Sequence, residues 1–300
     1  MEKPLVTVSI ITYNSSATVI DTLDSVLSQD YPRIELIISD DCSKDDTIDK
    51  CLDWILKYKD HFDGCRVIKS EKNTGVTANC NRACRGIRGE YLKLLAADDL
   101  LAPNAISEFV NYMLSNPTAV YVFSRVTVFG GNQDTVAFFT STVFDYSFFT
   151  LQQGEQYKWL IGHWFQPIPA ASCFINVSLA LDSGVLYYDE RIPMLEDWPK
   201  WIVLSEKGIV FHFIDKELVK YRVSDTSICS GEKYKSAFKE SRALLYLLYQ
   251  YRPSIKLFGL RRAIYFFVIY KAVINDSVLW KLLSKIVKRI MIIRNKIKML

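Results

Sequence analysis

Apolar residues recur along the first hundred positions in two alternating rhythms. Short β-branched or apolar runs, VTVSIIT at 6–12, IELIIS at 34–39, CRVIKS at 65–70 and YLKLLA at 91–96, read as buried strands. Between them the period lengthens to that of a helix. In SSATVIDTLDSVLSQ, Val19, Leu23, Val26 and Leu27 share one face, and Ser15 or Ser16 is the expected cap. Ile48, Cys51, Leu52, Ile55 and Leu56 form a second stripe, preceded by Ser43 and Asp46 as an acidic variant of a capping box. A third helix is expected from about Thr77 to Arg85. Pro103 opens a fourth, with Ile106, Phe109, Val110, Met113 and Leu114 inward. Strands alternating with helices imply right-handed crossovers and a mostly parallel central sheet flanked by helices, the α/β class.

Past residue 120 the rhythm changes. AVYVFSRVTVF (119–129) is strongly β, and a stretch of aromatics and loops runs on to PAASCFI (169–175). MLEDWPKWIVLSEKG (194–208) reads as a short helix ended at Gly208, followed by two β segments, IVFHFID and ELVKYRV.

In parallel sheets ligands bind beyond the carboxyl ends of the strands. The residues expected there are Thr12, Tyr13 and Asn14; Asp40 and Asp41; Asn73 and Gly75; and Asp98 and Asp99. No GxGxxG or GxxxxGK[ST] occurs, so neither glycine-rich phosphate cradle applies. The run KLLAADDLL (93–101) ends an apolar strand on two adjacent carboxylates. Either these sit at a solvated strand end or they hold something positive.

Half of the 300 residues are hydrophobic and 23% are charged, which fits a folded chain. Seven cysteines without a CxxC pair suit a reducing compartment and argue against a disulfide framework or a zinc ribbon. Cys80 and Cys84, four apart with Ala83 and Ile87, fit helix packing better than ligation. The N-terminus lacks secretory-signal features, and no run approaches about 18 uninterrupted apolar residues. Charge is divided unevenly. Residues 251–300 carry 12 Lys and Arg against one acid, Asp276, a net of +11; the chain total of +4 leaves −7 for residues 1–250. LWKLLSKIVKRIMIIRNKIK reads as a basic amphipathic helix suited to an anionic membrane surface. It is too apolar for a nucleic-acid arm, and a helix packed on the main domain is the alternative.

Five ordered segments, VSIITYN, QDYPRIELIISDDCSKDDT, NTGVTANCNRACRGIRGEYLKLLAADDLL, YYDERIPMLEDWPKWIVL and VKYRVSDTS, give the chain a resemblance to the family 2 glycosyltransferases over roughly residues 5–228. The resemblance implies a GT-A fold over 1–228, with a nucleotide-binding half (about 1–125) and an acceptor half (about 126–228), and a helical extension at 229–300. It implies inverting transfer of one sugar from a nucleotide diphosphate, usually UDP, to a hydroxyl of a carrier-linked saccharide in bacterial surface-polysaccharide synthesis. Tyr13 would stack on the base, with Thr12 and Asn14 shaping its pocket and Asp41 accepting uracil N3–H. Asn73 and Asn81 match the third nucleotide-site motif, Asn81 with bracing the helix as its alternative. Asp98 and Asp99 would hold Mg²⁺ or Mn²⁺ against the diphosphate. Asp197 would be the general base, oriented by Glu196.

Two positions depart from the family pattern. Ala96 stands where an acid is common, and Ser224 where a histidine two residues after Arg222 is common. They motivate a rival reading, a binding protein of the same fold that has lost catalysis. Retention of Asp98, Asp99 and Asp197 favours the enzyme. A processive synthase is disfavoured because QxxRW and multiple spans are missing from the sequence. The expected location is cytoplasmic, on the inner face of the plasma membrane.

Overall fold

In the computed structural model, four strands make the first half of the sheet: β1 (Val6–Thr12), β2 (Ile34–Asp40), β3 (Gly64–Lys69) and β4 (Tyr91–Ala96). β1 pairs in parallel with both β2 and β4, and β2 with β3. All seven residues of β2 and six of the seven of β1 are buried, which is why these two read as continuous apolar runs. β3, at the edge of the sheet, has no fully buried residue, contrary to its sequence reading. The structure describes residues 2–138, 140, 144–162, 168–192 and 195–223. The expected extension at 229–300, with its amphipathic helix, lies outside the described residues, as does Ser224.

The second half of the sheet is mixed. β5 (Leu100–Leu101), β6 (Tyr121–Phe129), β7 (Phe174–Asn176) and β8 (Phe211–Arg222) complete the order β3-β2-β1-β4-β7-β6-β8-β5. β7 runs antiparallel to β4 and β6, and β5 antiparallel to β8. The two β segments expected near the end are one 12-residue strand. Its register against β6 shifts around Arg125, with Ile214 paired to Ser124 and Glu217 to Arg125. Asp215 and Lys216 take no part in that ladder, so a polar interruption in the sequence is a bulge rather than a break.

Helices α1 (Val19–Leu27), α2 (Thr47–Tyr58), α3 (Val76–Ala83) and α4 (Ala105–Ser115) lie where periodicity placed them. The stretch expected to be loops also contains α5 (Gln133–Phe138) and α6 (Gln153–Gly162). α7 (Val177–Asp182) follows β7, and α8 (Asp197–Glu206) begins at Asp197.

The expected caps are not the observed ones. Neither α1 nor α2 has a side-chain cap from its preceding residue. Ser15 serves α1 through its backbone carbonyl, which accepts from Thr18 and Val19 N–H at 3.0 and 2.9 Å. Ser43 gives both its N–H and its hydroxyl to Asp40, while Asp45 accepts Thr47 N–H at 3.1 Å. Loop-to-loop bonds across the rim outcompete local capping here.

Phe109 of α4 stacks on Phe174 of β7 with centroids 4.9 Å apart, joining the two halves of the sheet. Trp201 of α8, fully buried, meets Phe123 of β6 edge-on at 5.2 Å. Burial of such side chains stabilises by about 1.5–3 kcal/mol each. One residue of β4 breaks the apolar rule. Lys93 is fully buried, and its ammonium donates to the carbonyls of Ala171 and Cys173.

Candidate active site

Strand order reverses at β1, with β2 and β3 to one side and β4 to the other, so the crevice opens at the carboxyl ends of β1, β2 and β4. Thr12, the last residue of β1, is buried and donates its hydroxyl to Asp40 Oδ1 at 2.8 Å. Asn14, at φ 50°, receives Lys44 N–H on Oδ1 and donates its own N–H to Ser43 Oγ, both at 2.8 Å. These bonds latch the loop after β1 to the loop after β2. Tyr13, between them, is left 43% exposed at the rim. The ring is therefore presented rather than packed, the state a stacking surface requires.

Asp41 is buried. Its carboxylate accepts from Thr74 N–H and Oγ, from Gly75 N–H at 2.7 Å, and from Arg82 Nη2 at 3.2 Å. Four donor groups match the roughly four acceptor positions of a carboxylate. The Arg82 contact is the longest of these. Gly75 reaches Asp41 through φ +87°, ψ 163°, and Asn73 Oδ1 accepts the same Gly75 N–H at 3.0 Å. Asn73 is exposed beside it.

Asn81 takes the second of its two expected places, the brace. Its Oδ1 accepts Tyr188 N–H at 2.7 Å, and its Nδ2 donates to Tyr188 O at 3.0 Å and Glu190 Oε1 at 2.8 Å. The amide is buried and fully used, so Asn81 braces α3 against the 188–190 segment instead of lining the nucleotide rim. Sequence reasoning missed Arg82, Asn79 and Thr74. Asn79 is buried, accepts from Ser39 Oγ and Arg82 Nη1, and donates to Thr12 O. The available signal was the density of polar side chains, Asn79, Asn81 and Arg82, on a short helix with buried neighbours.

At the end of β4, Asp98 is exposed and Asp99 is buried. Asp99 Oδ1 accepts the backbone N–H of Arg222 at 2.9 Å, and Arg222 Nε donates to Asp98 O at 2.9 Å. The Arg222 guanidinium also pairs with Asp21 of α1 at 2.9 Å. Loss of hydration raises the Asp98 carboxyl above its usual range. Asp99 is raised well above it, by burial first and then by the charge of Asp98.

Two adjacent carboxylates that resist ionising together fit a site completed by a cation. Among the described residues no third His, Cys, Asp or Glu joins them. Two carboxylates are a donor set that could hold Mg²⁺ or Mn²⁺ together with substrate phosphates.

Glu196 and Asp197 are half-buried where α8 begins. Burial raises the Glu196 carboxyl. Both carboxylates lie within electrostatic reach of the buried Cys80 thiol on α3, which burial and these charges push up. The start of α8 therefore lies near α3, the helix that follows β3. Cys80 and Cys84 are themselves buried, in keeping with the packing reading.

Among solved structures, Staphylococcus aureus TarS 1-349 in complex with UDP-GlcNAc aligns with TM-score 0.62 at 17% identity, over 89% of this chain and 73% of that one. The mannosyltransferase PcManGT from Pyrobaculum calidifontis, in complex with GDP-Man and Mn2+, aligns with TM-score 0.58 at 17% identity, over 97% and 81%. These likenesses establish the GT-A fold. Among relatives, the putative teichuronic acid biosynthesis glycosyltransferase TuaG of Bacillus subtilis is 27% identical over 237 residues, 79% of this chain and 86% of TuaG. WfaP of Escherichia coli, named a UDP-Glc:alpha-D-GlcNAc-diphosphoundecaprenol beta-1,3-glucosyltransferase, is 27% identical over 240 residues, 80% of this chain and 85% of WfaP. The family model for glycosyl transferase family 2 matches residues 7–165, which contain all four rim loops and both carboxylates of the β4 end. With more than half of its length inside that match, the chain belongs to glycosyl transferase family 2.

Proposed function

We propose that the protein is an inverting, metal-dependent transferase that moves one sugar from a UDP-sugar to a hydroxyl of a lipid-carrier-linked saccharide, in the assembly of a bacterial surface polysaccharide. The observation that carries this reading is the like-charged pair Asp98 and Asp99 at the switch-point rim, one exposed and one buried and fixed by Arg222. The names of WfaP and TuaG and the UDP-GlcNAc complex of TarS support the substrate class.

In this reading Tyr13 stacks on the base, and Asp41 accepts its imide N–H in place of the Arg82 contact. Thr12, Asn14 and Asn73 hold those loops in shape. Asp98 and Asp99 would hold Mg²⁺ or Mn²⁺, which supplies neutralisation of the charge that grows on the diphosphate as the glycosidic bond breaks. Asp197 takes the proton of the acceptor hydroxyl, with Glu196 steadying its position. The acceptor oxygen attacks the anomeric carbon from the side opposite the leaving UDP, which inverts its configuration. The basic segment at 251–300 holds the enzyme on anionic lipid, where a lipid-linked acceptor resides.

The test is transfer from a panel of UDP-sugars to a diphospholipid-linked acceptor sugar with Mn²⁺ present. The product's anomeric configuration is read by NMR. Retention of configuration rejects the mechanism, and absence of both transfer and UDP release across the panel favours the binding-only rival.

A further inference from the structure

Lys200 is a cation shut away from water. It lies on α8 three residues after Asp197, is 4% exposed, and has no role in the site described above. Its Nζ donates to Leu186 O at 2.8 Å and sits 3.5 Å from the centroid of the Tyr188 ring, with the Tyr121 ring at 5.4 Å. Tyr188 is held from the other side by the Asn81 amide. Through Lys200 and Asn81, α8, the 186–190 segment and α3 form one block.

The titratable groups around Lys200 are Cys80 of α3 and Cys84 just after it, Cys173 ahead of β7, Tyr121 of β6, Tyr188, and Asp197 of its own helix. Glu196 flanks Asp197 at the helix start. From α6, which packs on α8, the buried residues are Gln156 and Leu160, and neither titrates. Burial pulls the ammonium down from its ordinary value, while the three thiols and the Asp197 carboxylate push it back up. Of those four groups only Asp197 is a carboxylic acid. A methionine or leucine would fill the same space without the desolvation cost of an ammonium. Residues three apart on a helix face one another, so the charge and Asp197 share one side of α8.

We propose that Lys200 is a positioning residue for Asp197: from the dry side of α8 its charge favours the carboxylate form of the base, and its grip on Leu186 and Tyr188 fixes the first turn of the helix. The proposal rests on Asp197 being the base. An opposite charge nearby stabilises a carboxylate, so removing it raises the pH needed to ionise Asp197. For one charge at this spacing the shift is about one pH unit.

The experiment measures kcat/KM against pH and UDP affinity by calorimetry for Lys200→Met, Lys200→Gln, Lys200→Arg and Asp197→Asn. The neutral variants are expected to bind UDP as the parent does, to turn over more slowly, and to have an acidic limb about one pH unit higher. Lys200→Arg restores the limb. Lys200→Gln keeps a donor for Leu186 O, so it guards against a packing failure in Lys200→Met. A limb left in place in either folded neutral variant overturns the proposal, even if turnover falls. Asp197→Asn should lose about 10²–10⁴-fold in turnover. If it does not, the base assignment fails. If it does while the limb of the Lys200 variants stays put, only the role of Lys200 fails.

Discussion

The backbone N–H of Arg222, in the last described strand, meets Oδ1 of Asp99 at 2.9 Å across 123 positions of sequence. That bond sets the orientation of one carboxyl oxygen and leaves the other available. The pair Asp98 and Asp99 is expected to make UDP affinity depend on a divalent cation. Changing both to Asn should abolish the dependence, and calorimetry in Mn²⁺ and in EDTA reads it directly. The amide oxygen introduced by Asp99→Asn can still accept the Arg222 N–H, so loss of the fold is not the expected outcome. Equal UDP affinity of the parent protein in both buffers would remove the metal from the account.

Gly75 supplies a separate test of the base side of the rim. Its φ of +87° with ψ 163° is a conformation that essentially only glycine adopts, and a Cβ there would meet no atom within 4 Å. Gly75→Ala therefore isolates backbone strain from crowding. It should cost about 1–3 kcal/mol in urea unfolding and weaken UDP binding, because Gly75 N–H can no longer reach Asp41 in the same pose. Unchanged stability would mean that the loop has another accessible shape.

Much of this site was visible in the sequence because it depends on local order along the chain. Strand, loop and helix follow one another, and the residue after each strand must fall on one rim. Tyr13, Asp41, Asp98 and Asp99 could be placed that way. Arg82, Lys200 and Arg222 owe their positions to partners far away in sequence, Asp41, Leu186 with Tyr188, and Asp99, which no periodicity encodes. Asn81 carried two readings, nucleotide site or brace, for a related reason. A motif fixes which residue is present but not which way an amide on a helix points. The bulge in β8 hid in the same manner, since Asp215 and Lys216 look like a loop between two strands until β6 supplies the partner.

Lys93 predicts a pH dependence of stability. Burial lowers its ammonium from 10.5 to about 8, while Cys173 and Asp99 push it back up. Between those values the unfolded chain binds the proton and the folded chain does not, so stability rises with pH across that window. The contribution is about 3 kcal/mol over the whole interval. Below pH 8 both states are protonated and the effect is flat. Urea unfolding from about pH 7.5 to 10.5 should show this rise relative to Lys93→Met, in which it is absent. Parallel curves for the two proteins would show that Lys93 stays charged throughout.

The basic segment can be tested without reference to catalysis. Removing residues 251–300 takes away a net charge of +11, while every proposed site residue lies upstream. The shortened protein should bind UDP as before and no longer sediment with phosphatidylserine vesicles. For the full chain, vesicle binding should weaken with salt, since each Lys or Arg near the surface contributes about 1 kcal/mol and is screened within a Debye length. Unfolding of the shortened protein would favour the packed-helix alternative. Continued vesicle binding would move the anchor elsewhere.

The bond between Arg222 and Asp99 also has a bearing on biogenesis. Vectorial synthesis delivers the crevice in two instalments. Thr12, Asp40, Asp41, Thr74 and Arg82 have all been made by residue 82 and can latch to one another. Asp99 must wait for β8, more than a hundred residues later. A nascent or prematurely terminated chain thus carries latched loops without a secured carboxylate pair, and the crevice is completed only when β8 has been made.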